Sequence, residues 1–234
     1  MSDPHASAAL RRGRVIGLLG GSFNPAHRAH RRISLHARAA LRLDEVWWLV
    51  SPGNVLKPVK GMARLDQRFA SARAMARGAP IRVSAIEADW GTRYTVDALR
   101  RIVRTFPRAR FVWLMGADNL AQFHRWRDWR TIARIMPIAV IARPGYTVSA
   151  MTSPAMAWLH RWRRRHGTDI PGARRSAPAL ISLQFDPDPL SATALRAADP
   201  DWFDRLPART HRDMVTHRRV RVRPHPVDPA GGRP

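Results

Sequence analysis

The chain carries the segment VIGLLGGSFNPAHRAH at residues 15–30. Its apolar first part predicts a buried strand, its glycine pair and proline predict a tight turn, and its two histidines predict the start of a helix. This order places free backbone N–H groups and two imidazoles at the carboxyl end of a strand. Open α/β sheets bind their ligands there, and helix N-termini attract phosphate. The segment therefore predicts a site for nucleotide binding and phosphoryl transfer.

The residue types within this segment suit a phosphate site. Gly20 and Gly21 let a phosphate approach the backbone closely, because no side chain intervenes. His27 and His30 are three positions apart, so they share one face at the helix start and can both donate hydrogen bonds to phosphate oxygens. A turn with two surface histidines is the simpler interpretation. The complete spacing of glycine, phenylalanine, proline and histidine favours the site.

The rest of the chain alternates short apolar runs with helical patterns. The predicted strands are 14–21, 45–50, 81–86, 110–115, 138–142 and 180–185, and the predicted helices are 27–43, 62–77, 95–106, 128–135 and 191–198. Helices of this length between strands predict an α/β fold with a doubly wound, mostly parallel, Rossmann-like sheet and a small C-terminal helical portion. Residues 150–166 fit neither pattern well. The third predicted helix carries the apolar residues Val96, Leu99, Ile102 and Val103.

Composition sets the domain organisation and the class of protein. The 234 residues are 45% hydrophobic and include nine tryptophans, which predicts one folded domain at 14–220. We expect 1–13 to be a flexible N-terminal segment and 221–234 a disordered tail rich in proline and arginine. The chain has no cysteine, which excludes disulfides and thiolate chemistry. Without a bilayer-spanning apolar run or a secretory signal, a cytoplasmic protein with no membrane partner is expected.

The net charge of +24 has two interpretations. Basic chains commonly bind nucleic acid. Here, however, the basic residues are spread along the chain, and only Lys57 and Lys60 among the 41 are lysines. Such an arginine excess also follows from codon usage in a GC-rich genome and then has no functional meaning. In either case a positive field favours anionic substrates such as nucleotides.

A second motif, LSATALR at residues 190–196, opens the last predicted helix. Ser191 is a suitable N-cap, and Thr193 and Arg196 fall in the first turns, where a hydroxyl and a guanidinium add to an anion site. Alone, the motif predicts only a capped amphipathic helix. Its significance depends on the first motif.

Together the two motifs resemble the signatures GxFxPxHxGH and ISxTxxR of the nucleotidylyltransferase superfamily. Ala29 replaces the last glycine of the first signature, and Leu190 replaces the isoleucine of the second. Between them, GADNL at 116–120, the aromatic residues that follow it, TRYT at 92–95 and RPGY at 143–146 resemble the bacterial nicotinate-nucleotide adenylyltransferase family. The resemblance covers residues 15–208.

This resemblance implies adenylyl transfer from ATP to nicotinate mononucleotide, giving deamido-NAD and pyrophosphate, with Mg²⁺ bridging phosphates and no protein metal ligand assigned. The acceptor's own phosphate is the nucleophile, so the protein positions the substrates and neutralises charge. The implied catalytic residues are His27, His30, Lys57 and Arg196. The implied ATP-binding residues are Gly20, Gly21, Ser22, Phe23, Gly116, Asp118, Ser191, Thr193 and Arg196. The implied residues for nicotinate mononucleotide are Thr92, Tyr94, Trp126 and Arg127.

Simpler interpretations stay open for several of these residues. Lys57 fits an ordinary loop, Trp126 fits core packing and Asp118 fits a helix N-cap. Arg127 stands where relatives carry an aromatic residue, and it either pairs with the nicotinate carboxylate or faces solvent. For the whole chain the alternatives are a superfamily adenylyltransferase acting on nicotinamide mononucleotide or phosphopantetheine, a non-catalytic relative, or a basic nucleic-acid-binding protein. The sequence is compatible with a homo-oligomer.

Overall fold

The structure is a computed structural model and describes residues 13–53, 61–142, 150–164, 177–185, 191–206 and 211–220. The strands in chain order are β1 (Val15–Gly21), β2 (Glu45–Val50), β3 (Ile81–Ser84), β4 (Arg110–Gly116), β5 (Ile138–Ala142), β6 (Arg163–Arg164) and β7 (Leu180–Gln184). The helices are α1 (Arg28–Ala40), α2 (Leu65–Ala76), α3 (Ile86–Trp90), α4 (Thr95–Thr105), α5 (Ala117–Gln122), α6 (Trp129–Ile135), α7 (Pro154–Leu159) and α8 (Ala192–Ala198). Short 3₁₀ turns follow α5 at Phe123–Arg125 and α7 at His160–Trp162.

The strands form one parallel sheet in the order β3-β2-β1-β4-β5-β7-β6. The chain runs from β1 through β2 to β3, and it then crosses to the other side of β1 to add β4. The strand order therefore reverses between β1 and β4, and ligands of open α/β sheets bind outside the carboxyl ends of the strands at such a point. Leu18 of β1 pairs with both Trp47 of β2 and Trp113 of β4, so the three strands end at one edge. The predicted doubly wound fold is confirmed.

Both faces of the sheet are buried, as parallel sheets require. Alternate residues of β1 point to opposite faces: Ile16 and Leu18 pack with α4 and α6, while Val15 and Leu19 pack with α1 and α2. Of the apolar residues noted on the third predicted helix, Val96, Leu99 and Ile102 are buried. Val103 is 37% exposed, because α4 turns this position away from the sheet.

A C-terminal segment, residues 211–220, packs beside β3 and carries the buried Asp213. The Asp213 carboxylate accepts hydrogen bonds from the Ser84 hydroxyl and from the backbone N–H groups of Ala85, Val215 and Thr216. These bonds hold the end of β3. They explain why the strand predicted at 81–86 stops at Ser84 and a short helix, α3, begins at Ile86.

Other element boundaries differ from the predictions by a few residues. The first helix spans 28–40 rather than 27–43, and helix α5, at 117–122, was not predicted. Within 150–166, the stretch without a clear pattern, the structure forms α7, a 3₁₀ turn and the two-residue strand β6. The RPGY segment and the predicted terminal segments, apart from Gly13, lie outside the described residues. No helix among the described residues is both long and apolar enough to cross a membrane.

Candidate active site

The two histidines of the first motif lie together at the start of α1, beyond the end of β1. His27 is the N-cap and has extended backbone angles, and His30 is the third residue of the helix. Their ring centroids are 3.9 Å apart. The backbone N–H of His27 donates to Nδ1 of His30 over 3.2 Å. Because Nδ1 accepts this bond, the proton of a neutral His30 imidazole is on Nε2, which is thereby a hydrogen-bond donor.

Phe23 packs its ring against the His30 ring on one side and stacks it on Trp48 on another. Its ring is 1% exposed, stacks on Trp48 at 4.9 Å with an interplanar angle of 19°, and contacts the His30 ring at 4.9 Å. Its φ of 47° is in the left-handed region, which costs a bulky residue about 1–3 kcal/mol. The buried stack holds the ring in this conformation. The structure therefore gives the Phe23 side chain a packing contact with His30, whereas the sequence suggested only a place in the ATP site.

The glycine pair is explained by packing against aromatic rings. A Cβ on Gly20 would lie 2.6 Å from Cη2 of Trp113, and a Cβ on Gly21 would lie 3.2 Å from Cε2 of Phe23. Trp113 is 2% exposed, so its ring is enclosed by the core. Packing thus gives Gly20 a second reason to lack a side chain, beside the close approach of a phosphate predicted from sequence. Its absent side chain makes room for a tryptophan.

The second motif contacts the first. The Ser191 hydroxyl accepts a hydrogen bond from the N–H of Ala194 and so caps α8 as predicted. The Arg196 guanidinium donates to the carbonyl of Asn24 at 2.6 Å and to the Thr193 hydroxyl at 3.3 Å. Asn24 and Arg196 are 172 positions apart in the chain. The fold thus brings a cation of the second motif onto the turn that presents the two histidines.

Asn24 is a site residue that sequence reasoning missed. It is 5% exposed, and its amide donates to the carbonyl of Gly61 and accepts from the N–H of Ala63. These bonds join the histidine turn to the segment before α2. The signal in the sequence was an asparagine before a proline within the first motif. The partners of Asn24 are 37 and 39 positions away, so the sequence gives no means of naming them.

The carboxyl end of β4 borders the same edge of the sheet. Gly116 is the N-cap of α5, and Asp118 is an exposed residue of its first turn. The Asp118 carboxylate lies over Gly116, in the space that a Cβ there would occupy. The N-cap interpretation of Asp118 is wrong, since Gly116 has that position. Asp118 is a solvent-facing carboxylate close to the strand-order reversal.

An aromatic group follows α5. Trp126 is half-buried and packs edge to face on Phe123 at 5.4 Å and on Trp113 at 6.4 Å. The exposed Arg127 guanidinium stacks on the half-buried Tyr94 ring at 4.5 Å. Two of the residues predicted for the pyridine substrate, Tyr94 and Arg127, therefore contact each other, and Trp126 packs against the same hydrophobic cluster as Tyr94. Arg127 is exposed and makes a cation–π contact, and its pairing with a nicotinate carboxylate stays a prediction.

Thr92, the fourth residue predicted for this substrate, is bound to helix α3. Its N–H and its hydroxyl both donate to the carbonyl of Glu87. Burial raises the pKa of the Glu87 carboxyl to about 7, because the charged form is poorly solvated there. A group that titrates near neutrality thus lies on the helix that leads into the TRYT segment.

Two further basic residues bear on the site, Lys57 and Arg68. Lys57, predicted to be catalytic, lies outside the described residues. Arg68 of α2, which sequence reasoning missed, is 1% exposed, and burial lowers its pKa to about 10 in spite of the nearby Asp66. An arginine in an apolar helical stripe was the signal for Arg68.

Comparison with protein families agrees with this geometry. The model of the cytidylyltransferase-like family matches residues 18–198, which include both motifs. A solved structure, the Plasmodium falciparum nicotinic acid mononucleotide adenylyltransferase complexed with NaAD, aligns with a TM-score of 0.60 over 79% of this chain and 83% of that chain. At 14% identity the likeness concerns the fold alone. The chain belongs to the cytidylyltransferase-like family of nucleotidyltransferases.

More similar relatives define the family further. A protein of Erythrobacter litoralis, described as a probable nicotinate-nucleotide adenylyltransferase, is 63% identical over 92% of this chain and 96% of its own length. A Bradyrhizobium protein with the same description is 50% identical over 80% of this chain and 97% of its own length. Within the larger family, the chain is a member of the nicotinate-nucleotide adenylyltransferases.

Proposed function

We propose that this protein transfers the adenylyl group of ATP to nicotinate mononucleotide and releases pyrophosphate. The contact that carries the proposal is the hydrogen bond from Arg196 to the Asn24 carbonyl, because it unites both motifs at the strand-order reversal. The relatives at 63% and 50% identity support the choice of acceptor. The product is deamido-NAD.

In this reaction an oxygen of the nicotinate mononucleotide phosphate attacks the α-phosphorus of ATP in line. A new bond forms between that oxygen and the α-phosphorus, and the bond from the α-phosphorus to the bridging oxygen breaks, so pyrophosphate leaves with the electron pair. No covalent enzyme intermediate is needed. The protein contributes positioning and stabilisation of the charge that shifts onto the leaving group.

The site residues have distinct tasks in this proposal. The Nε2–H of His30 donates to a phosphate oxygen, and the bond from the His27 N–H to Nδ1 keeps His30 in the tautomer that does so. His27 lies beside it at the N-terminus of α1, where the helix dipole favours negative charge. Arg196 adds a permanent positive charge. Trp126 offers a half-buried ring for stacking on the pyridine.

Mg²⁺ is part of this proposal. Among the residues that the structure describes, no three His, Cys, Asp or Glu side chains converge as a metal site. The groups at the end of β1 are imidazoles and a guanidinium, whereas Mg²⁺ prefers oxygen ligands and commonly binds phosphates, water and one or two carboxylates. This donor set fits an ion that enters with the ATP phosphates, with Asp118 as an available carboxylate. When bound, the ion supplies neutralisation of the leaving pyrophosphate.

The experiment is pyrophosphate release from ATP with nicotinate mononucleotide, nicotinamide mononucleotide and phosphopantetheine offered separately. Preference for nicotinate mononucleotide is the expected result. Turnover of phosphopantetheine instead would keep the fold and the reaction type but contradict the acceptor. Absence of release with every acceptor, from a folded protein that binds ATP, would contradict the enzyme assignment.

A further inference from the structure

Arg68 lies at the centre of a set of backbone carbonyls at the nucleotide end of the sheet. Its Nη1 donates to the carbonyls of Ser22 at 2.8 Å and Ser51 at 2.7 Å, and its Nη2 donates to that of Pro52 at 3.1 Å. Its Nε donates to the carbonyl of Ala63 at 2.9 Å. One buried guanidinium thereby ties together the turn after β1, the turn after β2 and the segment before α2. Lysine has no planar fork with which to reproduce this arrangement.

These bonds also set the direction of neighbouring N–H groups. In a trans peptide the N–H points opposite to the C=O. With the carbonyl of Ser22 turned toward Arg68, the N–H of Phe23 points away from the guanidinium. The same holds for the N–H of Gly53, which follows the carbonyl of Pro52. Loops bind phosphate through N–H groups that point out of the loop, so the clamp favours the orientation that an anion needs.

Among the described residues, no carboxylate is hydrogen-bonded to Arg68, although Asp66 lies close enough to raise its pKa. Asp66, the acidic residue nearest in sequence, is bound by both Nε and Nη2 of Arg64 at 3.2 and 2.7 Å. The Arg68 guanidinium, by contrast, has four carbonyl partners and almost no solvent contact. Asp66 offsets only part of the cost of burying this charge, since the pKa of Arg68 is still lowered to about 10, and a nearby polyanion would offset more of it. The site beyond the Ser22 turn is the one proposed for the ATP phosphates.

We propose that Arg68 is a positioning residue for ATP: its fork holds the turns after β1 and β2 in the shape that receives the phosphates, and its charge adds to their binding. The proposal rests on the proposed function of this site. Arg68 does not touch the reacting atoms, and it acts through the backbone of the residues that do.

The test compares Arg68→Met and Arg68→Lys with wild type. Mg²⁺-ATP binding is measured by calorimetry without acceptor, and kcat/KM for ATP is measured from pyrophosphate release. For Arg68→Met we expect kcat/KM to fall about 100-fold, the scale of a small misplacement of a binding loop, and the Kd for ATP to rise about 10-fold. Arg68→Lys keeps the charge without the fork, so its kcat/KM should lie between the two.

Arg31 provides the matched control. Its Nη1 donates to the carbonyls of Met75 and Arg77, so it is also an arginine clamp on backbone, but at the far end of α2. Arg31→Met should lower the melting temperature without changing the Kd for ATP. Folded Arg68 variants with wild-type Kd and kcat/KM would overturn the proposal, as would an equal loss in Arg31→Met.

If Arg68→Met does not fold, Arg68→Lys alone tests whether Arg68 positions ATP or only stabilises the fold. A lower melting temperature with unchanged kcat/KM and Kd would then show that the clamp only stabilises the fold. The proposed function is tested separately by turnover of the wild type. If wild type does not turn over nicotinate mononucleotide, the calorimetric comparison still tests Arg68, because it needs ATP alone.

Discussion

Replacing Gly20 by alanine tests whether this position serves packing or phosphate approach. The new Cβ would lie 2.6 Å from Cη2 and 3.2 Å from Cζ2 of Trp113, whereas carbon atoms in contact prefer separations of about 3.5–4.0 Å. The indole is 2% exposed, so the ring or strand β1 has to shift by about 1 Å to restore normal contacts. Overpacking of this kind costs about 1–3 kcal/mol of unfolding free energy.

The displacement should also reach the acceptor side of the site. Trp113 packs edge to face on Trp126, the ring proposed to stack on the pyridine. We therefore expect Gly20→Ala to raise the KM for nicotinate mononucleotide more than the KM for ATP. The measurements are urea unfolding and steady-state kinetics with each substrate varied in turn.

A double-mutant cycle with Trp113→Phe isolates the contact. Phenylalanine lacks the outer ring atoms that the new Cβ would meet, so the double variant should be more stable than the sum of the single changes predicts, by about 1 kcal/mol or more. Additivity within about 0.5 kcal/mol would refute the packing argument. A rise in KM for ATP alone, unchanged by Trp113→Phe, would favour the original explanation from phosphate approach.

Three further predictions follow from the contacts of individual residues. Removing the His30 imidazole with His30→Ala should lower kcat by about 10²–10³, the scale for one charge-stabilising donor, and pyrophosphate release near the wild-type rate would contradict its role. Asp213→Asn replaces one accepting oxygen by an amide N–H₂, which then faces a backbone N–H or the Ser84 hydroxyl. This loss of accepted hydrogen bonds should reduce the free energy of unfolding by about 2–4 kcal/mol. A reduction below about 1 kcal/mol in urea unfolding would show that the C-terminal segment adds little stability. The pKa of Glu87 is raised from an ordinary 4.5 to about 7, so the native state holds a proton that the unfolded chain has lost, and stability should fall as pH rises from about 4.5 to 7 and then level off. In Glu87→Gln the free energy of unfolding should fall by about 1–3 kcal/mol less than in wild type over this pH range. Equal pH profiles of melting temperature for wild type and Glu87→Gln would contradict the raised pKa of Glu87.

The order of elements and the edge of the sheet that binds substrate were predictable from sequence, because both depend on local patterns. Alternating apolar runs and helical stripes predict parallel strands with helices on both faces, and β2 and β5 have the predicted bounds. The two motifs are local as well, and their matches to family signatures need only spacing. Ser191 caps α8 for the same reason, since its partner is three positions away.

Boundaries and inward faces were less predictable where distant residues decide them. β3 ends at Ser84 because Asp213, 129 positions later, binds its end. Nothing within 81–86 signals that contact. Val103 continues an apolar stripe in sequence but lies outside the buried face of α4, because the width of that face is determined by the sheet against which it packs.

The chemistry of the site was decided by tertiary structure. Two features depend on how aromatic rings pack: the positive φ of Phe23 and the space beside Gly20. Two others bring together residues that are far apart in the chain: the contact of Arg196 with Asn24 and the four carbonyls around Arg68. Sequence alone determined which residue types the chain offers to a nucleotide, and at which end of the sheet. Only packing determined which of them meet, because distances and directions between remote side chains depend on how the whole core is filled.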